Sequence, residues 1–292
     1  TNLVSEVMSM NKSKSTKRML IGYGLVLPAF LVVMFTVAYP IVSSVIMSFQ
    51  DGETGGLTLA NYTYFFTTES QLKNILFTLY VVIVTVVLAL VIAYLLALYL
   101  RFVKSPISKA IGTLYLLPRF IPGLVAVYAM ITIIRDTGVI NRIALLLFNY
   151  DFKPAMMYHA SGLIIMNLWF NIPFAALMIT AGLGAIPDSV IESARDVGAS
   201  RMRVFRSMIL PLSAKDVVVA GTFVFMTNVG SFTTPYLIGG NSPKMLGIAL
   251  YDQFNRYLDY NRSAALSVIM FLICSVSAAV YIYTNLKERE WE

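Results

Sequence analysis

Few side chains in this 292-residue sequence could do chemistry. The only histidine, His159, has no acidic or cysteine residue close in sequence with which to build a dyad or a metal site. The single cysteine, Cys274, lies in an apolar run, can form no internal disulfide and is expected to serve as a small packing residue. No glycine-rich loop of the G-x-x-x-x-G-K-[ST] kind occurs, so the chain does not cradle nucleotide phosphates by that route. Neither catalysis nor a cofactor is expected. Two features remain: the polar stretch Ser189–Pro211 between apolar runs, and Arg119, a lone charge inside one.

The polar stretch reads SVIESARDVGASRMRVFRSMILP. Pro187-Asp188-Ser189 is a helix start, and Ser189 with Glu192 three residues on predicts a capping box that satisfies exposed backbone N–H groups. Gly198 closes that helix after about nine residues, because glycine enters the left-handed region without a Cβ penalty. Ser200 caps a second helix through Arg201, Arg203 and Arg206, which Pro211 ends for want of an N–H. Two short helices at an angle are expected. Glu192 either completes the box or offers its charge to a partner.

This stretch resembles the cytoplasmic coupling loop of ABC importer permeases, whose pattern is Glu-Ala-Ala, three residues, Gly, nine residues, Ile, one residue, Leu-Pro. Glu192, Ala194, Gly198, Leu210 and Pro211 stand at the matching spacing, while Ser193 and Met208 replace one Ala and the Ile. A second segment, GSFTTPYLIGG at 230–240, resembles the end of the fifth helix in the spermidine/putrescine and ferric-ion type permeases. The resemblance implies an all-α membrane protein, six transmembrane helices with a cytoplasmic helix-turn-helix coupling loop between helices four and five. It implies an ATPase-coupling site at those five residues, with Glu192 facing the ATPase and Gly198 setting the angle between the two helices. The implied function is that of a permease subunit of an ATP-driven, binding-protein-dependent importer. The solute would be small and polar or charged: a polyamine, metal ion, phosphonate or similar. The implied partners are two ATP-binding cassette ATPase subunits, a second permease subunit, identical or paralogous, and an extracytoplasmic solute-binding protein.

Composition independently places the chain in a lipid bilayer. Hydrophobic residues make up 58% and charged residues only 13%, against about 25% charged in soluble domains, and mean hydropathy is +0.75. Nearly charge-free runs occur at Met19–Phe49, Asn74–Leu100, Ala110–Ile134, Ala155–Ile186, Val217–Gly240 and Ser263–Leu286. Each exceeds the roughly 20 residues that cross the hydrocarbon core. The expected layout is a tail at 1–18, a membrane domain at 19–286 with its polar loop at 187–212, and a second tail at 287–292. With both tails inside, inner segments hold roughly twice as many Lys and Arg as outer ones, which puts the loop in the cytoplasm of a bacterial inner-membrane protein. The net charge of +7 is spread over these segments and shows no aromatic-interleaved face, so nucleic acid is not an expected partner. The first run is too long for a signal peptide and no small-x-small site ends it. Asp136–Lys153 reads as an amphipathic stretch at the outer surface.

Arg119 falls about 13 Å into the third run, between Pro118 and Pro122. A guanidinium at such depth must face a partner or water. It either lines a solute path and attracts an anion, or clamps carbonyls freed by the two prolines. Trp169 and Asn171, with Phe170, are further candidates to line that path. No acidic residue falls within any run as bounded here, which argues against a path specialised for polyamines. A secondary transporter or channel driven by an ion gradient is the alternative class; intramembrane acids and inverted repeats, its common marks, are not visible.

Overall fold

The computed structural model describes residues 22–288. Of the expected tails, 1–18 and 289–292 lie outside the described residues, and the last helix runs through Glu288. Among the described residues six helices are long and apolar enough to cross a membrane, and no strand is present beyond one isolated bridge between Gln50 and Leu57. In chain order the helices are α1 (Gly22–Ser48), α2 (Ala60–Thr67), α3 (Glu69–Phe102), α4 (Pro106–Leu114), α5 (Gly123–Ile134) and α6 (Val139–Phe148). They continue with α7 (Ala160–Ala185), α8 (Asp188–Asp196), α9 (Arg201–Val229), α10 (Thr233–Ile238), α11 (Leu246–Tyr251) and α12 (Tyr260–Glu288).

The bundle is organised around α3. Ala89, Ala93 and Ala97, four residues apart and fully buried, form a stripe of small residues down one face of that helix. In lipid the hydrophobic effect does not drive helices together, so close backbone approach over small residues carries the packing. Against this stripe lie Ala175, Ala176, Ile179 and Leu183 of α7 and Ala220 and Val224 of α9. The N-terminal half of α3 instead uses polar groups. Asn74 Oδ1 accepts from the Lys244 backbone N–H at 2.8 Å and Thr78 Oγ1 from that of Leu246 at 2.9 Å, docking the segment between α10 and α11 onto the helix. The Lys244 ammonium pairs with the Asp252 carboxylate just past the end of α11. By contrast α1 buries almost nothing of its apolar surface and leans mainly on α12.

Two expectations require correction. The third run is not one kinked helix: α4 ends at Leu114, a 3₁₀ turn covers Leu117–Phe120, and α5 begins at Gly123. Pro118 and Pro122 each remove an N–H and disfavour α geometry in the residue before them, and Ile121 is extended at ψ 126°. The apolar helical stretch of spanning length here is Gly123–Phe148, in which α5 and α6 meet at a turn over Arg135–Gly138. Second, Pro211 does not end a helix. A π turn at Phe205–Ile209 precedes it, placing the ring in the first turn of the next α segment, and α9 runs unbroken from Arg201 to Val229. In that position the missing N–H is tolerated. Asp216 therefore lies inside a long helix, not ahead of it, and its carboxylate fills the notch left by Gly182 on α7.

Gly182 supplies a test of this packing. A Cβ there would fall 1.9 Å from Asp216 Oδ2 and 2.7 Å from Asp216 Cβ, whereas one at Gly184, on the same helix, meets nothing within 4 Å. Gly182→Ala is expected to lower stability in detergent by about 1–3 kcal/mol, and Gly184→Ala to leave it unchanged or raise it by up to about 1 kcal/mol. Melting temperatures of the two variants check the difference.

Candidate functional site

Two places combine polar side chains with defined geometry: an elbow between α7 and α9, and a pocket farther along the same helices. The elbow is α8 joined to the start of α9. At its turn Gly198 has φ +81°, its N–H donates to the Arg195 carbonyl at 2.8 Å, and the Ala199 N–H donates to the Ala194 carbonyl at 3.0 Å. These are the two bonds of a Schellman ending, which requires a left-handed residue where Gly198 stands. Ser200 caps α9 by accepting from the Arg203 N–H at 3.4 Å, as its position predicts. The capping box at Ser189 and Glu192 does not form: α8 begins at Asp188, with Pro187 as its cap residue and no side-chain cap. Glu192 is thereby exposed and not engaged in capping.

The elbow is held from below. Ile191 and Ala194 of α8 and Val204 and Ile209 of α9 are buried in the same cluster as the C-terminal ends of α3 and α7. Leu210 and Pro211 are exposed. Arg101, at the end of α3, donates to the carbonyls of Leu183 at 3.3 Å and Ile186 at 3.2 Å and to Asp188 Oδ1 at 2.5 Å. One planar guanidinium thus caps the end of α7 and ties down the first residue of α8, a task that needs the donor fork of arginine. In the sequence Arg101 is one of the Lys and Arg residues that set the topology. Its sign at a helix C-terminus was legible, but its three acceptors are more than eighty positions away.

The pocket, of about 200 Å³, lies between the break in the third run, α7 and the C-terminal end of α9. Arg119 reaches it from the 3₁₀ turn, with its guanidinium 5.2 Å from the centroid of the Phe174 ring. Asn167, Phe170 and Asn171 line it from α7, and Thr227 and Asn228 from α9. Asn171 Nδ2 donates to the Asn167 carbonyl at 2.7 Å and to Asn228 Oδ1 at 3.4 Å, while Asn228 Nδ2 donates to the Val224 carbonyl at 2.6 Å. Asn167 is 3% exposed, yet its Nδ2 has no partner. Arg119 stacks on a ring and makes no side-chain bond to the carbonyls near its prolines, so the clamp reading finds no support in the geometry.

Of the expected path residues, Arg119 and Asn171 come together here and Trp169 does not; it stands on another face of α7, 40% exposed. Asn167 and Asn228 were missed. The four-residue spacing of Asn167 and Asn171 in an apolar helix is the signal that could have found the first, since it puts two amides on one face. Elsewhere, His159 Nδ1 lies 2.9 Å from the Met157 carbonyl, and no cluster of metal-ligating residues occurs among the described residues. A larger cavity of about 520 Å³, next to α11 and α12, is lined by no charged side chain.

A model of the family described as "Binding-protein-dependent transport system inner membrane component" matches residues 89–289. The sulfoquinovosyl glycerol transport system permease protein SmoG of Agrobacterium fabrum is 30% identical over 277 residues, covering 88% of each chain. The trehalose transport system permease protein SugA of Mycobacterium tuberculosis is 27% identical over 288 residues, 94% of this chain and 92% of that one. The spermidine/putrescine transport system permease protein PotB of Escherichia coli is 24% identical over 224 residues, 77% and 81% of the two chains. Among solved structures, a bacterial ABC transporter involved in import of the acidic polysaccharide alginate superposes with a TM-score of 0.79 at 19% identity, covering 95% and 98% of the chains. An inward-facing methionine ABC transporter, MetNI, does so at 0.56 and 19%, covering 75% and 97%.

Arg101→Met should loosen the elbow without unfolding the bundle. Charge-assisted bonds to a partly exposed carboxylate and two carbonyls are together worth about 1.5 kcal/mol here, roughly a tenfold rise in amide exchange. Hydrogen exchange across residues 188–197 checks this, with exposed Arg206→Met as a control that leaves the rate unchanged.

Proposed function

This chain belongs to the binding-protein-dependent transport system inner membrane component family, and on that footing we propose that it is the permease subunit of an ATP-driven importer for a small polar solute. It is a multi-pass membrane transport component and not an enzyme. The elbow is the surface on which ATPase subunits dock, and the pocket at Arg119 and Asn171 lies on the solute path. A second permease, identical or paralogous, completes the path across the face where Arg119 is exposed, and an external binding protein delivers the solute. The basic residues of the inner segments keep the elbow in the cytoplasm.

One observation carries this reading: α9 is a single rod from the elbow to the pocket. Its first residue, Arg201, follows the Gly198 turn, and Thr227 and Asn228 near its last turn line the pocket. Twenty-nine residues span about 42 Å at 1.5 Å per residue. A push on the elbow by a closing ATPase pair therefore moves the pocket wall directly, with no loop in between to absorb it. An ion-gradient-driven transporter has no use for such an anchored, exposed elbow. The related chains named above serve solutes as different as spermidine, trehalose and sulfoquinovosyl glycerol. That range supports a common mechanism more firmly than a particular cargo.

Gly198→Val tests the coupling. A Cβ there meets nothing, so the whole cost is the left-handed backbone, about 1–2 kcal/mol and more for a β-branched residue. The expected outcome is a protein that inserts and binds its ATPase while solute uptake falls away from ATP hydrolysis; normal uptake per ATP would remove the elbow from the mechanism. Glu192→Gln addresses the exposed carboxylate. Loss of its charge should weaken co-purification with the ATPase by about tenfold, the scale of one charge-assisted bond. Unchanged assembly and uptake would show that Glu192 makes no partner contact.

A further inference from the structure

The side chains around Arg119 specify a class of solute, an inference that rests on the pocket lying on the solute path. Three features act together. Arg119 presents the pocket's only charge, and no carboxylate lines it. A polycation would meet repulsion there and find no counter-charge, whereas an acidic group would find a planar donor fork whose face already rests on Phe174. Asn167 is 3% exposed and carries an Nδ2 that no protein atom accepts from. A buried donor without an acceptor destabilises the empty protein, so an acceptor brought by a ligand is bound with that much advantage. Asn171 completes the pattern, since its Nδ2 is spent on Asn167 and Asn228 and its Oδ1 remains to accept.

A donor and an acceptor one turn apart on α7 suit a hydroxyl group, which accepts and donates at once. The rings of Phe170 and Phe174 add flat apolar walls. The volume of about 200 Å³ equals about six or seven waters of liquid, the room that a single sugar ring needs. We infer that the pocket binds a hydroxylated solute bearing one acidic group, of the kind represented by a uronic acid. The acidic group sits on Arg119 and ring hydroxyls sit on Asn167 and Asn171. Specificity then resides partly in the membrane domain: Arg119 selects the charge and Asn167 the hydroxyl.

The experiment uses the full chain in membrane vesicles, with Cys274→Ser to remove the only native thiol and Thr227→Cys as reporter. Thr227 is exposed at the rim and its hydroxyl proton is donated to the Phe223 carbonyl at 2.9 Å, so the reporter removes no free donor from the pocket. A water-soluble maleimide should label the reporter, glucuronate should slow labelling, glucose should slow it less, and spermidine should leave it unchanged. Adding Arg119→Gln should raise the half-protecting glucuronate concentration about tenfold, to the level of glucose, the worth of one charge-assisted bond. Adding Asn167→Leu should abolish protection by both sugars with the melting temperature unchanged or higher. A fall in that temperature would assign Asn167 a structural role and overturn its part here. A reporter that no reagent reaches overturns the pathway reading itself. A reporter that is labelled, but is protected by spermidine or not by glucuronate, overturns the solute class alone.

Discussion

In a bilayer the distance between two helices is set by the side chains between them, and in this protein three alanines set it. Ala89, Ala93 and Ala97 let α3 approach α7 and α9 closely enough that Asp216 fits the notch at Gly182 and Leu90 reaches Gly221, where an added Cβ would lie 3.0 Å from Leu90 Cδ1. With larger residues in the stripe, α7 and α9 would separate and the pocket they wall would lose its shape. The elbow depends on the same contact, because its buried residues rest on the C-terminal ends of α3 and α7. Close packing of this kind has few alternative arrangements, so displacement of one helix is passed to its neighbour.

The elbow and the pocket are thereby one mechanical unit. Arg101 fastens the start of α8 to α3 and α7, the Schellman turn at Gly198 fixes the angle, and α9 carries that angle toward the pocket. A π turn at Phe205–Ile209 admits Pro211 without a break. Without it α9 would be two helices with a joint between elbow and pocket. π turns inserted into long helices are often found where function requires a local adjustment, and this one lies where the elbow passes into the bundle.

The prolines around Arg119 do the opposite. Pro118 and Pro122 break the third run so that a charged residue occupies a short 3₁₀ turn at the bundle's exposed face. An unbroken helix would present Arg119 to lipid or to a packed neighbour, at the cost that a membrane imposes on a charge. The break gives the guanidinium an aromatic face to lie on and an open side toward the pocket.

Much of this was legible in one dimension. Six apolar runs, the Gly198 turn, the Ser200 cap and the two-helix plan of the elbow follow from local propensity and hydropathy, which depend on neighbours a few residues apart. The resemblance of the loop at Glu192–Pro211 to one family was equally a matter of spacing. What local signals misjudged were places where a distant contact decides. Pro211 reads as a stop until the preceding turn widens, and Ser189 and Glu192 read as a box until the helix starts two residues earlier. The partners of Arg101 and the lack of one at Asn167 lay beyond local signals for the same reason. The acceptors of Arg101 stand on another segment, and the unpartnered amide of Asn167 can be recognised only once every neighbour in space has been found to offer it nothing. Sequence alone determined that apolar helices flank a polar elbow and where most of the turns fall, because those follow from transfer free energy and backbone sterics. Tertiary structure alone decided which polar side chains meet, because that depends on how closely α3, α7 and α9 approach one another.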